Sequence, residues 1–459
     1  MLLNRFKKAV LFLGDIVVLY AALFLTLIIR YRSLPRAEVW DENFMPFTVL
    51  FAVWLAIFYM NGLYEISASK NDIEFYNKIW HNLLINFGVA AGYFYLLTDK
   101  LFDIKPQTVF FIYMAVSSVL FVLWRYIYNG SVQSAAFRKN ILVIGMKDEA
   151  RELIEEIIKK PQLGYRVTSI IHSKGRTAGE FPGVKMHDKS VDIKQLLKAE
   201  NISTIVTALD PRSDPELIRD LFESLTLKIQ FFDLATFYEK LTGKIPVTHI
   251  GHIWFLENLA ESEKGAYENL KRGFEIVASL LMLLIFLPLL PLFALLIKLD
   301  SRGPVFFRQN RVGLLGREFS AIKFRSMIHG AEKEGEARWA IKSDPRVTRI
   351  GRIMRATRLD EIPQFLNVLR GDMSLIGPRP ERPELVSDLS RDIPFYNERH
   401  LVKPGITGWA QINFQYGAST GDAFKKLQYD LFYIKNRSIP LDLGIALKTI
   451  NIMLSGKGF

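Results

Sequence analysis

Ile276-Val-Ala-Ser-Leu-Leu-Met-Leu-Leu-Ile-Phe-Leu-Pro-Leu-Leu-Pro-Leu-Phe-Ala-Leu-Leu-Ile297 is an unbroken apolar run with Pro288 and Pro291 at its middle. A helix needs about 20 apolar residues to span a bilayer, so this run is long enough. Lys271 and Arg272 stand before it, and Lys298 and Arg302 after it. Each proline removes a backbone donor and bends a helix. Two architectures fit: an ordinary span with a proline kink, or a broken helix that enters and leaves by one face.

Four more apolar runs precede it, roughly Ala9–Ile29, Phe44–Leu63, Leu83–Leu97 and Thr108–Tyr128. Half of the 459 residues are hydrophobic and the mean hydropathy is positive at +0.14, a combination rare in a purely soluble protein of this size. The net charge is +12. Such an excess accumulates on the cytoplasmic side of membranes and beside anionic headgroups. With these apolar runs present, the charge points to an anionic lipid bilayer and not to nucleic acid. Arg5, Lys7 and Lys8 precede the first run; Arg125, Arg138 and Lys139 follow the fourth. An even number of spans with these flanks sets both ends in the cytoplasm, against the opposing vote of Arg30, Arg32 and Arg36. The chain has no cysteine, which excludes disulfides and thiolate metal sites.

From Arg138 the pattern changes. Asn140–Gly145 is a short apolar strand, Glu149–Lys160 is helical, and Val167–Ile171 is a strand. Val191–Ala199, Ser203–Ala208, Glu216–Leu225 and Lys228–Phe232 repeat the helix-strand order. Alternation of this kind implies a parallel sheet with helices on its faces. A Rossmann-like domain over 138–262 follows. Its dinucleotide fingerprint is degenerate: Gly145-Met-Lys-Asp-Glu-Ala150 keeps one glycine of G-x-G-x-x-G. A structural or regulatory domain is the reading.

The last third holds six ordered clusters. They are Ser301-Arg-Gly-Pro-Val-Phe-Phe-Arg-Gln309, Lys323-Phe-Arg-Ser-Met327, Ser343-Asp-Pro-Arg-Val-Thr-Arg-Ile-Gly-Arg352, Leu359-Asp-Glu-Ile-Pro-Gln364, Gly371-Asp-Met-Ser-Leu-Ile-Gly-Pro-Arg-Pro-Glu-Arg-Pro383 and Lys403-Pro-Gly-Ile-Thr-Gly-Trp-Ala-Gln-Ile-Asn413. Asp360 and Glu361 point about 100° apart on a helix, so they do different work. Pro363 marks the first turn of a helix over Gln364–Leu369, which sets the pair at a helix N-terminus suited to phosphate. One carboxylate can attack phosphorus while its neighbour holds a hard cation. Arg346, Arg349, Arg352, Arg355 and Arg358 recur every third residue and read as a basic stripe facing headgroups or substrate phosphates. Gly377-Pro-Arg-Pro380 fixes the backbone at Arg379, whose fork suits phosphate oxygens. Gly405-Ile-Thr-Gly408 reads as a turn that exposes backbone N–H groups.

Together these motifs resemble the polyprenyl-phosphate hexose-1-phosphate transferases, the bacterial sugar transferase family, over 268–459. The four N-terminal spans (1–130) and the Rossmann-like domain resemble its long members. The resemblance implies a two-step transfer from a UDP-sugar to undecaprenyl phosphate that releases UMP, in exopolysaccharide, O-antigen or capsule synthesis. It implies Asp360 as nucleophile, Glu361 as Mg²⁺ ligand, and Lys323, Arg325 and Arg379 as active-site charge. Arg358, Arg382, Asp430, Thr407 and Gln411 would contact substrate. Pro288 stands where the family breaks its re-entrant helix, here over 274–299. Leu287 precedes it where serine is frequent in the family, which removes a hydroxyl for the freed backbone. A crossing span would leave the last domain opposite the Rossmann-like domain, on the side without nucleotide-sugars, so the resemblance selects the re-entrant form. The implied fold is a helical membrane bundle, an α/β middle domain and a mainly α monotopic catalytic domain on the cytoplasmic face of the bacterial inner membrane. A homodimer is a further expectation, since the N-terminal regions have no catalytic task. The competing classes are a membrane-anchored nucleotide-sugar epimerase or dehydratase, a non-catalytic scaffold, and a transferase releasing UDP. The first finds only a chance Tyr267-x-x-x-Lys271 pair, and the intact Asp360-Glu361 dyad argues against the second.

Overall fold

A computed structural model describes residues 2–96, 107–134, 138–172, 181–209, 215–227, 229–259, 264–331, 344–414, 417 and 419–456. Leu97, Lys228 and Ser343, at the edges of stretches singled out above, lie outside the described residues. The chain divides into two compact units, Met1–Leu241 and Thr242–Phe459.

The first unit opens with four helices, α1 (Leu2–Tyr31), α2 (Ala37–Met60), α3 (Ile73–Leu96) and α4 (Gln107–Gln133). By length and composition α1, α2 and α4 are each apolar enough to cross a membrane. α3 begins with Glu74, Lys78 and His81 among its apolar residues and does not qualify alone; it completes the bundle. Apolar residues recur at helical spacing and meet at the centre, with Leu19, Leu23 and Leu27 against Phe47, Phe51, Trp54, Phe94 and Tyr113. Arg125 is not a solvated flank. It is fully buried, ion-paired to Asp15 at 2.5 Å, and it donates to the Leu63 carbonyl at 2.8 Å. A charge at membrane depth is tolerated when paired in this way. Trp124 Nε1 donates to the same carboxylate at 3.0 Å, joining α4 to α1.

The α/β part follows as β1 (Lys139–Ile144), α5 (Asp148–Lys159), β2 (Tyr165–His172), β3 (Lys185–Asp188), α6 (Ile193–Ala199), β4 (Ile202–Thr207), α7 (Pro215–Glu223), β5 (Gln230–Asp233) and α8 (Leu234–Thr242). All pairings are parallel, in the order β3-β2-β1-β4-β5, the doubly wound order with five strands. Strand side chains alternate between faces. Ile141 and Val143 pack with Leu153, Ile154 and Phe237, while Leu142 and Ile144 pack with Leu196 and Leu197. β3 was not read from the sequence; its exposed pattern, Lys-Met-His-Asp, carries no apolar alternation.

The second unit comprises α9 (His252–Asn258), α10 (Gly265–Phe286), a 3₁₀ turn at Leu287–Leu289, α11 (Leu290–Asp300), the antiparallel pair β6 (Phe306–Val312) and β7 (Glu318–Phe324), α12 (Arg349–Ala356), a 3₁₀ turn at Leu359–Glu361, and α13 (Gln364–Arg370). Then come β8 (Ser374–Ile376), α14 (Pro383–Asp392), β9 (Gly405–Thr407), α15 (Trp409–Asn413), α16 (Thr420–Asn436) and α17 (Ile439–Leu454). The apolar run is broken at Pro288, and its two arms return to one place. Arg272 on α10 donates to the carbonyls of Val368 and Leu369 at 2.5 and 2.8 Å, at the end of α13. Ile297 on α11 packs with Phe324, Met354 and Ile362, just before the start of α13. In a straight helix Arg272 and Ile297 would be roughly 37 Å apart, whereas Ile362 and Val368 are separated by roughly 9 Å of helical rise. The arms therefore fold back. Leu280, Leu284, Ile285, Leu287 and Leu292 around the break are exposed.

Candidate active site

Lys323 lies near the end of β7, the acidic pair follows α12, and α13 begins just after. Asn367 of α13 fastens these pieces together. Its Oδ1 accepts from the Ile322 N–H at 3.1 Å and its Nδ2 donates to the Ser320 carbonyl at 2.8 Å. α12 ends at Ala356, and Arg358 then adopts the left-handed conformation, φ 55° and ψ 21°. For a long, bulky residue this conformation is costly, and it turns the chain into the 3₁₀ turn that carries Asp360 and Glu361. The dyad thus lies on this turn, ahead of α13, with Pro363 at the cap position and not inside the helix.

Both carboxylates are buried, and their surroundings differ. Glu361 Oε1 accepts from Lys323 Nζ and from Arg379 Nη2, each at 2.8 Å. Arg358 Nη1 stands 3.7 Å from Oε2. Burial pushes the Glu361 pKa up, but the charges of Arg379, Lys323 and Arg358 outweigh it and hold the group well below the usual carboxylate range. No described residue donates a hydrogen bond to the Asp360 carboxylate. Burial pushes its pKa up to about 6; Lys323 opposes the rise and the neighbouring Glu361 charge adds to it. Arg358 Nε and Nη1 are buried without a hydrogen-bond partner among the described residues, as is Glu361 Oε2. The site therefore holds one neutralised carboxylate, one uncommitted carboxylate and unspent guanidinium donors. That unspent Glu361 oxygen fits a divalent cation, because Mg²⁺ is usually held by one or two carboxylates together with substrate phosphates.

Arg379 is held by its own backbone. Ser374–Ile376 pairs with Gly405–Thr407, and Gly377 N donates to the Thr407 carbonyl at 2.9 Å. The glycines permit close approach and do not expose N–H groups. A Cβ on Gly405 would stand 2.1 Å from Gly377 N, and one on Gly377 would stand 2.4 Å from the Lys403 carbonyl oxygen. Gly405 N itself donates to the Pro378 carbonyl at 2.9 Å. From the other side Arg399 Nη2 donates to the Arg379 carbonyl at 3.0 Å.

The remaining sequence-derived residues are placed otherwise. Arg325 is not brought to the carboxylates. It donates to the carbonyls of Ile297, Ser301 and Arg302 at 3.3, 2.6 and 2.9 Å and so closes the end of α11. Its buried guanidinium satisfies orphan helix carbonyls there. Asp430 is buried against Arg399 at 2.8 Å and supports Arg379 indirectly. Thr407 Oγ1 meets Thr449 Oγ1 at 2.7 Å, Gln411 Nε2 donates to the Ile406 carbonyl at 3.2 Å, and Arg382 lies 3.4 Å from Glu384. The basic stripe is discontinuous, because α12 covers only Arg349 to Arg355. Arg346 is bound to Asp344 at 2.6 Å, Arg355 donates to Ser326 Oγ at 2.9 Å, and only Arg349 and Arg352 of the stripe are exposed. Tyr267 and Lys271 do meet, at 3.4 Å, within a buried network that also includes Tyr433 and Asp442. Sequence reasoning missed Arg399 and Asn367. Neither belongs to a charge pattern; the only available signal was their closeness to motifs already singled out.

The geometry brings a buried acidic pair and three cations together on a unit that also carries a long apolar hairpin. Residues 266–456 match the profile of the bacterial sugar transferase family, and residues 59–229 match one described as a CoA-binding domain. A UDP-glucose:undecaprenyl-phosphate glucose-1-phosphate transferase of Klebsiella pneumoniae is 31% identical over 425 residues, 88% of each chain. A UDP-N-acetylgalactosamine-undecaprenyl-phosphate N-acetylgalactosaminephosphotransferase of Aeromonas hydrophila is 46% identical over 230 residues. That match covers 50% of this chain and 53% of the relative. An undecaprenyl-phosphate glucose phosphotransferase of Komagataeibacter xylinus is 34% identical over 349 residues, 73% of this chain and 63% of the relative. The chain thus spans between half and two thirds of the length of these last two relatives. The chain belongs to the bacterial sugar transferase family.

Proposed function

We propose that the enzyme transfers a hexose-1-phosphate from a UDP-sugar to undecaprenyl phosphate through an aspartyl-phosphate intermediate. The observation that carries this reading is the contrast within the dyad: Glu361 is neutralised by Lys323 and Arg379, while Asp360 accepts no hydrogen bond from the described residues and has a pKa of about 6. Ionised Asp360 attacks the β-phosphorus. The bond from that phosphorus to the bridging oxygen breaks, and UMP leaves with the oxygen and its electron pair. The lipid phosphate oxygen then attacks the same phosphorus, the acyl phosphate bond breaks, and Asp360 is restored as a carboxylate. Arg358 and Arg379 bind phosphoryl oxygens in a reaction that depends chiefly on positioning and charge neutralisation. Glu361 would hold Mg²⁺, which when bound supplies further neutralisation of diphosphate charge.

The broken α10–α11 hairpin is re-entrant in this reading and keeps the site at the headgroup plane on the cytoplasmic face of the inner membrane, where both substrates meet. The test is nucleotide release from a panel of UDP-sugars, UDP-N-acetylgalactosamine and UDP-glucose included, with undecaprenyl phosphate and Mg²⁺. UMP from one donor, lost in Asp360→Asn, is expected. UDP, or UMP untouched by the substitution, would overturn the assignment.

A further inference from the structure

A cavity of about 290 Å³ opens at the foot of α10, and neither Asp360 nor Glu361 lines it. At roughly 30 Å³ per water it has room for a phosphate ester with part of its hydration. It lies where the arm changes from charged to apolar, at Lys271 and Arg272 just before Phe274.

Most of its charges are already matched. Lys271 faces Asp442 at 3.2 Å, and Arg437 faces Glu268 at 2.8 Å. Glu275 is 4% exposed, and its Oε1 accepts from the Leu375 N–H at 3.0 Å and from the Ser374 hydroxyl. Two cations remain. Among the described residues Arg272 meets the neutral carbonyls of Val368 and Leu369 and no anion. The Lys403 ammonium makes no hydrogen bond or ion pair with the described residues. Their nitrogens converge. A Cβ on Gly371 would lie 3.6 Å from Lys403 Nζ and 3.7 Å from Arg272 Nη2, and glycine at φ +90° leaves that volume open. Capping of the end of α13 accounts for Arg272, whose donors reach its last carbonyls. It leaves the Lys403 ammonium without an acceptor among the described residues.

We propose that this cavity is a second anionic site, separate from the dyad, that takes the phosphate ester of an anionic membrane lipid headgroup. Paired cations around an opening at a polar–apolar boundary are the chemistry that recognises such a headgroup. The proposal rests on the seating of the α10–α11 hairpin at the membrane, and on no step of the transfer reaction. A soluble phosphate shares this chemistry, so the experiment separates the two sources.

Delipidated full-length protein is titrated with short-chain phosphatidylglycerol, with phosphatidylcholine of equal chain length, and with inorganic phosphate. Bound lipid is counted by native mass spectrometry and thermal stability is followed in parallel. Phosphatidylglycerol should bind preferentially, Lys403→Gln should weaken it about fivefold, and Lys403→Arg should retain it. Competition by millimolar inorganic phosphate would support the anion site with a soluble source; its failure to compete would support the headgroup source. Equal binding of the two lipids, or a Lys403→Gln variant with unchanged phosphatidylglycerol affinity, overturns the proposal and leaves Arg272 a helix cap and Lys403 a solvated cation. Asp360→Asn should bind the lipid as the wild type does, so a failed transfer reading and a failed lipid site register separately.

Discussion

Replacing Asp360 by Asn should abolish turnover and at the same time stabilise the protein. Burial raises the Asp360 pKa from 3.8 to about 6. A tenfold change in proton affinity is worth about 1.36 kcal/mol, so keeping this carboxylate ionised in the folded state costs ~3 kcal/mol at neutral pH. The sign follows from proton binding. Below about pH 4 the group is protonated folded or unfolded and costs nothing. Between about 4 and 6 the folded state holds its proton more tightly, so stability falls as pH rises. Above about 6 the full cost is present. Asn removes the charge and keeps the shape. At roughly 2–4 °C per kcal/mol for a unit of this size, Asp360→Asn should melt ~6–12 °C higher at pH 7.5. The gap should shrink as pH falls from 7.5 towards 5. Scanning fluorimetry of both proteins across that range reads it, with UMP release measured on the same samples. An equal or lower melting point for Asp360→Asn at pH 7.5, or a gap that does not change with pH, refutes the account of a destabilised nucleophile.

Wild-type turnover should decline as pH drops through about 6, because the attacking carboxylate must be ionised; a flat profile between pH 5 and 7.5 with transfer rate-limiting contradicts it. Glu361→Gln takes the common acceptor from Lys323 and Arg379. Breaking a buried pair costs about 3–5 kcal/mol. Both cations retain some solvent, so the lower end is expected in denaturation, together with a raised Mg²⁺ requirement in the transfer assay. Asp430→Asn strands buried Arg399 and should cost about 3–5 kcal/mol. Asp430→Asn with Arg399→Met should recover stability but not turnover, because the Arg379 carbonyl has lost its donor. The chain has no native cysteine. Ala266→Cys and Arg302→Cys, one on each side of the Pro288 break, should therefore react with a membrane-impermeant maleimide from the same face; labelling from opposite faces excludes a re-entrant hairpin.

Legibility followed the range of the physics involved. Helices α1, α2 and α4 and the sheet β1-β2-β4-β5 were readable because burial in a membrane or between helix layers demands long apolar runs, or short ones at regular intervals. β3 was not, because an edge strand needs little apolar surface. The dyad was readable as a motif, yet its asymmetry was not. That asymmetry depends on Lys323, Arg358 and Arg379 reaching Glu361 from three separate segments. The role of Arg325 was misread for the same reason. A charge inside a motif looks catalytic until the carbonyls at the end of α11 are seen to consume it. Arg125 likewise reads as a flanking charge until Asp15, more than a hundred residues away in sequence, is found beside it.

The same long-range contacts explain why the membrane hairpin and the site form one device. Arg325, next but one to Lys323, ties β7 to the end of α11. Lys271, at the foot of α10, donates to the Ile376 carbonyl at 2.8 Å, three residues before Arg379. Each arm is therefore fastened to a segment that supplies one of the three cations on Glu361. A displacement of either arm moves Lys323 or Arg379 relative to the acidic pair, and a buried carboxylate that loses one of its cations has its pKa pushed back up by burial. Ionisation of the dyad then depends on the seating of the hairpin, which gives a physical reason to build this charge cluster on the two arms of an apolar hairpin.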